Sequence, residues 1–330
     1  MKRNLAIVIL LGCISALTQC KTAPPSTVAT PGTGIPDALF ALNEMDMHLH
    51  CGLERQIDLN AWLDMAMKDG RRAIVMLDHL ELYRKTDTEY AAWLKEKGFK
   101  GWYPMGAPGH VAMFAAFDQA IAERKDLVLF KGWEIYEGEL DTGVEEAPMR
   151  MVDVIGWHIS PNNGKAAPNG ATLIKRATQI KEIQKRFPIP MILFHPFTMR
   201  IENLQRTAVR EGREVKSLTA ADYRFFQPGE QEQLIAILKG TSIYIEMARE
   251  SVNFWNDPIV REAMIADIKP LVDAGVQFTV STDNHYVPHA QISFHPERFC
   301  ADVGLTPANT NTLIREMLAQ RAKREATAMK

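Results

Sequence analysis

The sequence predicts a single α/β barrel of parallel strands, on three observations. Seven short apolar runs recur along the chain, at 38–45, 73–77, 127–130, 151–155, 191–194, 243–245 and 276–280. Segments with apolar residues at helical spacing lie between most of them, and such alternation makes the strands parallel. Each run is followed by a histidine or an acid: His48 and His50, Asp78 and His79, Glu134, His158, His195, Glu246, then Asp283 and His285. Metal-ligand side chains at the carboxyl ends of successive parallel strands are how a β/α barrel builds a metal site.

The chain has 330 residues, enough for one large barrel or two ordinary domains, and it shows neither an internal repeat nor a composition break. We read 38–330 as one barrel. A net charge of −2 offers no electrostatic case for a stable nucleic-acid complex, and an apolar content of 46% is that of a globular protein.

The first 20 residues read as an export signal. Lys2 and Arg3 precede the apolar run 5–11, and small and polar residues follow through Thr18, too short for a bilayer span. Leu17-Thr18-Gln19-Cys20 resembles a bacterial lipoprotein box, with Gln19 in place of the usual small residue. Leu10-Leu11-Gly12-Cys13 fits by residue type but leaves a very short apolar core. The reading adopted is cleavage before Cys20, with the protein exported to the periplasm or cell envelope and anchored to the membrane by lipid if Cys20 is modified; plain secretion is the alternative. Residues 21–37, rich in Pro, Thr, Ser and Gly, read as a flexible tether. Cys51 and Cys300 remain in the mature domain and are expected to be separate buried thiols.

The first helix is expected over 58–67, stopped by Gly70, and the second strand ends at Asp78-His79. A longer connection holds a helical 88–97 and a Gly/Pro loop before the helix at 111–123. Residues 137–150 are acidic and aperiodic, so a loop over the mouth of the site is expected; 160–170 is another. A basic amphipathic helix follows at 171–187, then the largest insertion, 197–227, with Arg200, Arg206, Arg210 and Arg213. Helices at 230–239, 258–274 and 307–324 complete the chain, the last capped by Thr306 with Pro307 at its first position.

His48-x-His50, Asp78-His79, Gly132-x-Glu134, His158, His195-Pro196 and Asp283-x-His285, in this order, resemble the PHP (polymerase and histidinol phosphatase) family of metal-dependent phosphoesterases over nearly the whole mature domain. The resemblance implies a distorted (β/α)7, TIM-like barrel holding two or three divalent transition metals (zinc, manganese or iron) and acting on a small phosphorylated substrate. It implies His48, His50, Glu134 and Asp283 at a first metal, His79 and His285 at a second, and Glu134 bridging to a third with His158 and His195. Glu134, Asp283 and His285 are then the catalytic set. The family's further His or Asp soon after His-x-His is replaced here by Cys51-Gly52-Leu53-Glu54, with Glu54 or Asp58 as substitutes. Nucleotides, sugar phosphates and phosphodiesters all stay open as substrates, although export argues against a biosynthetic histidinol phosphatase.

The residue types suit the chemistry. Neutral imidazole and carboxylate bind zinc, manganese or iron, and geometry selects among them. Asp78 is placed to orient a ligand from behind. Arg200 and Arg249 lie just beyond strand ends, where a guanidinium clamps phosphate, and His289 follows the last motif as a substrate contact. Glu246 is either pocket-facing or paired with Arg249, and Trp133 and Trp157 are read as packing. Asp46-Met47-His48-Leu49-His50 also resembles the first motif of the amidohydrolase superfamily, which uses a mid-barrel lysine. A metal-binding surface lipoprotein without activity is the third reading.

Overall fold

The computed structural model describes residues 40–51, 59–80, 89, 92, 109–161, 166–249, 254–285 and 295–328. The seven expected strands form: β1 (Met45–His50), β2 (Ala73–His79), β3 (Val128–Tyr136), β4 (Val154–His158), β5 (Met191–Phe194), β6 (Ile243–Ala248) and β7 (Gln277–Ser281). They pair in parallel in chain order, as one seven-stranded sheet. A bridge between Leu49 and Asn284, with the His50 N–H donating to the Asn284 carbonyl at 3.2 Å, brings β1 against β7 and curls the sheet into a barrel. Both faces of the strands are buried, which is why they read as continuous apolar runs rather than alternating ones.

Helices cover the outside: α1 (Leu59–Lys68), α2 (Gly109–Glu123), α3 (Gly170–Arg186), α4 (Pro196–Arg210), α5 (Glu230–Leu238), α6 (Pro258–Asp273), α7 (Glu297–Val303) and α8 (Thr312–Ala328). Their starts follow local chemistry. Asn169 accepts from the Thr172 N–H at 2.9 Å to cap α3, and Asp257 accepts from the Ile259 N–H at 2.9 Å to cap α6. Away from the ligand-bearing strand ends, buried Asp153 accepts from Arg321 at 2.6 Å and forms a close pair with Arg324, pinning α8 to the barrel.

Several boundaries move. The first strand is Met45–His50, not 38–45, and β3 and β6 run on through Glu134 and Glu246. Apolar runs mark where a strand is buried, whereas the ladder's hydrogen bonds continue through polar residues whose side chains enter a closed site. β4 likewise starts later than expected, at Val154. Residues 137–150 carry helical turns at Glu139–Thr142 and Glu146–Met149, and 197–227 is largely α4 plus the turn Ala220–Tyr223. The C-terminal segment splits into Pro307–Thr310 and α8, after an unanticipated α7. The export signal, the tether, Glu54, Asp58, His289 and nearly all of the 88–97 helix lie outside the described residues. The two cysteines are buried thiols, as expected.

Candidate metal centre

Strand register brings the ligand-type residues to one level. His79 on β2 lies beside Glu134 on β3, and Tyr136 on β3 beside His158 on β4. A bulge in β1 between Asp46 and Leu49 turns the strand where His48 projects, and His48 Nε2 and His50 Nε2 come within 3.0 Å. His195 ends β5 and opens α4 directly, with left-handed backbone (φ 34°) and Pro196 at the first helical position. Asp283, just past β7, has φ 49°. Among the described residues these are the two non-glycines with positive φ, a strain of the kind that clusters at functional sites.

Glu134 lies at the centre. Its Oε2 is 3.1 Å from His50 Nε2, 3.3 Å from His79 Nδ1 and 3.5 Å from His48 Nε2. Its Oε1 is 3.4 Å from His195 Nε2 and 3.5 Å from His158 Nδ1. Asp283 Oδ1 is 3.2 Å from His285 Nδ1, 3.3 Å from His48 Nε2 and 3.4 Å from His50 Nε2. Four groups of three have ligand atoms all within 4.8 Å of one another: His50, His79 and His285; His48, His195 and Asp283; His48, His50 and Glu134; Glu134, His158 and His195. All eight residues read from the sequence as metal ligands thus converge at one end of the barrel.

The donors fit a divalent cation. Glu134 Oε2, Asp283 Oδ1, His195 Nδ1 and both ring nitrogens of His158 are buried without an aligned hydrogen-bond partner among the described residues. Leaving so many buried polar atoms unpaired is costly in a folded protein. The electrostatics agree. Burial alone would lower the His48 pKa, yet the carboxylates of Asp283, Glu246 and Glu134 raise it well above the ordinary histidine value. Burial likewise opposes a charged His50, while Asp283, Asp78 and Glu134 lift it to about 10. Burial opposes the charge on Glu134, but the imidazoles of His79 and His48 hold its carboxyl well below the usual range. Asp283 is held low too, by His48 and His285 against burial. His158, pushed down to about 3 by burial and then by His195, stays neutral with one ring-nitrogen lone pair to offer. Two carboxylates that are otherwise balanced by protons on imidazoles suit a site where cations take the protons' place.

Other polar groups hold the ligands in place. His50 Nδ1 lies 3.9 Å from buried Asp78, farther than a hydrogen bond. Asp46 accepts from the Thr282 N–H at 2.9 Å and from its hydroxyl at 2.6 Å, tying the segment before Asp283 to β1. Phe194 stacks on the His48 ring at 3.7 Å between centroids. Glu246 faces neither the cavity nor Arg249. It is buried and accepts from His48 Nδ1 at 2.8 Å and from the His195 N–H at 2.6 Å.

Six of the eight candidate ligands, all but His48 and His50, line a cavity of about 270 Å³, lined also by Tyr136, Thr198, Met199 and Glu202. Sequence reading missed these four. Tyr136 had a signal, since it sits two residues beyond Glu134 on the same strand; the α4 residues had only the Pro196 helix start. Arg200 does not point into the cavity: its guanidinium donates to the Asp222 and Arg224 carbonyls at 3.1 and 3.2 Å. Arg249 follows β6 in a half-buried position. Trp133 and Trp157 are fully buried packing residues, as expected.

Fold and site together define an α/β barrel with a histidine- and carboxylate-rich cluster at the ligand-bearing strand ends. No family model matches the sequence, and no curated protein does. Among solved structures, the chain is similar to histidinol phosphate phosphatase from Lactococcus lactis subsp. lactis, complexed with zinc, L-histidinol and phosphate, at 12% identity and a TM-score of 0.46, over 79% of this chain and 92% of that one. A putative histidinol phosphatase from Listeria monocytogenes is 12% identical with a TM-score of 0.47, over 77% and 99%.

Proposed function

We propose that the protein is a metal-dependent phosphoesterase, hydrolysing a phosphomonoester or phosphodiester of a small molecule with two or three divalent transition metals. The supporting observation is the division of Glu134, whose two oxygens face different sets of histidines, as suits a carboxylate shared between neighbouring ions. Divalent ions held there would supply Lewis acidity, neutralising phosphate oxygens and lowering the pKa of water. The chain's own part is to fix the ligands through strand register, to keep His158 neutral and to hold Asp283 and Glu134 as anions. Asp283 and His285 line the cavity, which supports reading them as the residues that would meet the substrate there. The motif order that resembles the PHP family supports the same reading.

The amidohydrolase reading is weaker, because among the described residues no lysine lines the cavity, and Lys131 on β3 turns outward to Asp118 at 2.6 Å. We also propose export and lipid anchoring at Cys20, on the residues of the leader alone.

The test is metal analysis of the purified mature domain, followed by assay of that same sample on phosphomonoesters, phosphodiesters and amides. At least two transition-metal ions per chain and metal-dependent ester hydrolysis are expected. A metal-free, folded and fully active preparation overturns the reading.

A further inference from the structure

Glu246 lies behind these residues, where its carboxylate meets three donors, from β1, β7 and the β5–α4 junction. Oε1 accepts from His48 Nδ1 on β1 at 2.8 Å and makes a close contact with the Ser281 hydroxyl on β7. Oε2 accepts at 2.6 Å from the backbone N–H of His195, the residue held at φ 34°. The first contact determines the His48 tautomer. With its proton on Nδ1, donated to Glu246, the ring leaves the Nε2 lone pair aimed at Glu134 and Asp283, 3.5 and 3.3 Å away. The second contact secures a backbone conformation that L residues rarely adopt, and thereby the direction of the His195 ring.

We propose that Glu246 is a positioning residue that sets the ring of His48 and the backbone of His195 together, so that one carboxylate organises every ligand group containing either. This rests on the reading that the groups bind metal. Three of the four groups contain His48 or His195, and one, His50 with His79 and His285, contains neither. The effect of losing Glu246 is therefore selective. A glutamine at this position keeps an acceptor oxygen at one of the two carboxylate positions and puts a donor amide at the other, so it cannot accept at both the His48 ring and the His195 N–H. Its amide nitrogen forces either the wrong His48 tautomer or an unpaired His195 N–H.

The experiment is a zinc titration of metal-free wild type and Glu246→Gln against a chromophoric chelator. In the variant, the equivalents that use His48 or His195 should weaken about 10- to 100-fold, the usual cost of losing a partner behind a ligand. The equivalent held by His50, His79 and His285 should keep its wild-type affinity. Wild type that binds no zinc defeats the metal reading itself. Wild type that binds while the variant binds identically defeats only the role of Glu246. Equal weakening of every equivalent shows a merely structural residue and also overturns the proposal. Should the variant fail to fold, zinc-loaded wild type with ¹⁵N-labelled histidine decides the matter. The signal that His48→Gln removes must show a protonated Nδ1, and a protonated Nε2 there refutes the assignment.

Discussion

At the scale of single residues, Glu134 and Cys300 give opposite tests, one of function and one of stability. Glu134→Gln keeps the shape but removes the charge that faces five imidazoles. It should lower metal content and cut phosphoester turnover by about a thousandfold, equivalent to about 4 kcal/mol of barrier. The comparison is kcat/KM after removing and re-adding metal, and near-wild-type activity would place the chemistry elsewhere. Cys300 is fully buried, and burial, followed by nearby Glu297, pushes its thiol well above the ordinary value. A raised folded-state pKa means the native protein holds this proton more tightly than the unfolded chain does. The contribution is complete below the unfolded thiol value of about 8.5 and is lost as pH rises through the folded one. The urea-midpoint difference between wild type and Cys300→Ala should therefore shrink above about pH 8.5. Iodoacetamide should label Cys300 only after unfolding, so rapid labelling of native protein would contradict its burial.

At the scale of elements, β4 and β5 make the bed on which His48 rests. A β-carbon built on Gly156 would fall 1.7 Å from Phe194 Cε2, and the Phe194 ring stacks on His48. Gly156→Ala should thus displace Phe194, costing about 1–3 kcal/mol by overpacking, and should weaken metal binding by tilting the His48 ring. Paired urea unfolding and cobalt titration read the two effects, and an alanine variant with wild-type values would mean that the ring has room to move. The same scale explains the fate of Arg200. Position after a strand suggested a phosphate clamp, but α4 turns that side chain toward the Asp222 and Arg224 carbonyls. A helix fixes where each of its side chains points, and sequence position relative to a strand end carries no such direction.

At the scale of the whole molecule, the groups that could hold a metal draw side chains from β1, β2, β3, β4, the β5–α4 junction and the end of β7. Ions bound there would tie the barrel together only in the native state. Removing them should lower the melting temperature, and adding zinc back should restore it, with about 2.7 kcal/mol of stabilisation at a hundredfold excess over Kd. Thermal unfolding with and without chelator measures this, and identical curves would show that no ion binds the folded state preferentially. For the export proposal, Cys20→Ala should move the mature protein from the membrane to the soluble fraction, while unchanged fractionation would favour simple secretion.

Much of the site was legible before the fold was known. The spacing of apolar runs marked seven strands, and the histidine or acid after each run marked the end where these side chains converge, because burial demands apolar residues and a candidate cation site demands lone pairs. Those are properties of residue type and order, which a linear chain displays. The directions of Glu246 and Arg200 were not legible, and neither was the lining role of Glu202. Glu246 is 198 residues from His48 and 51 from the His195 N–H it secures, and nothing local distinguishes it from an acid paired with neighbouring Arg249. Only the closing of the barrel brings those three together, since a contact between distant strands is decided by register and curvature rather than by the residues on either side.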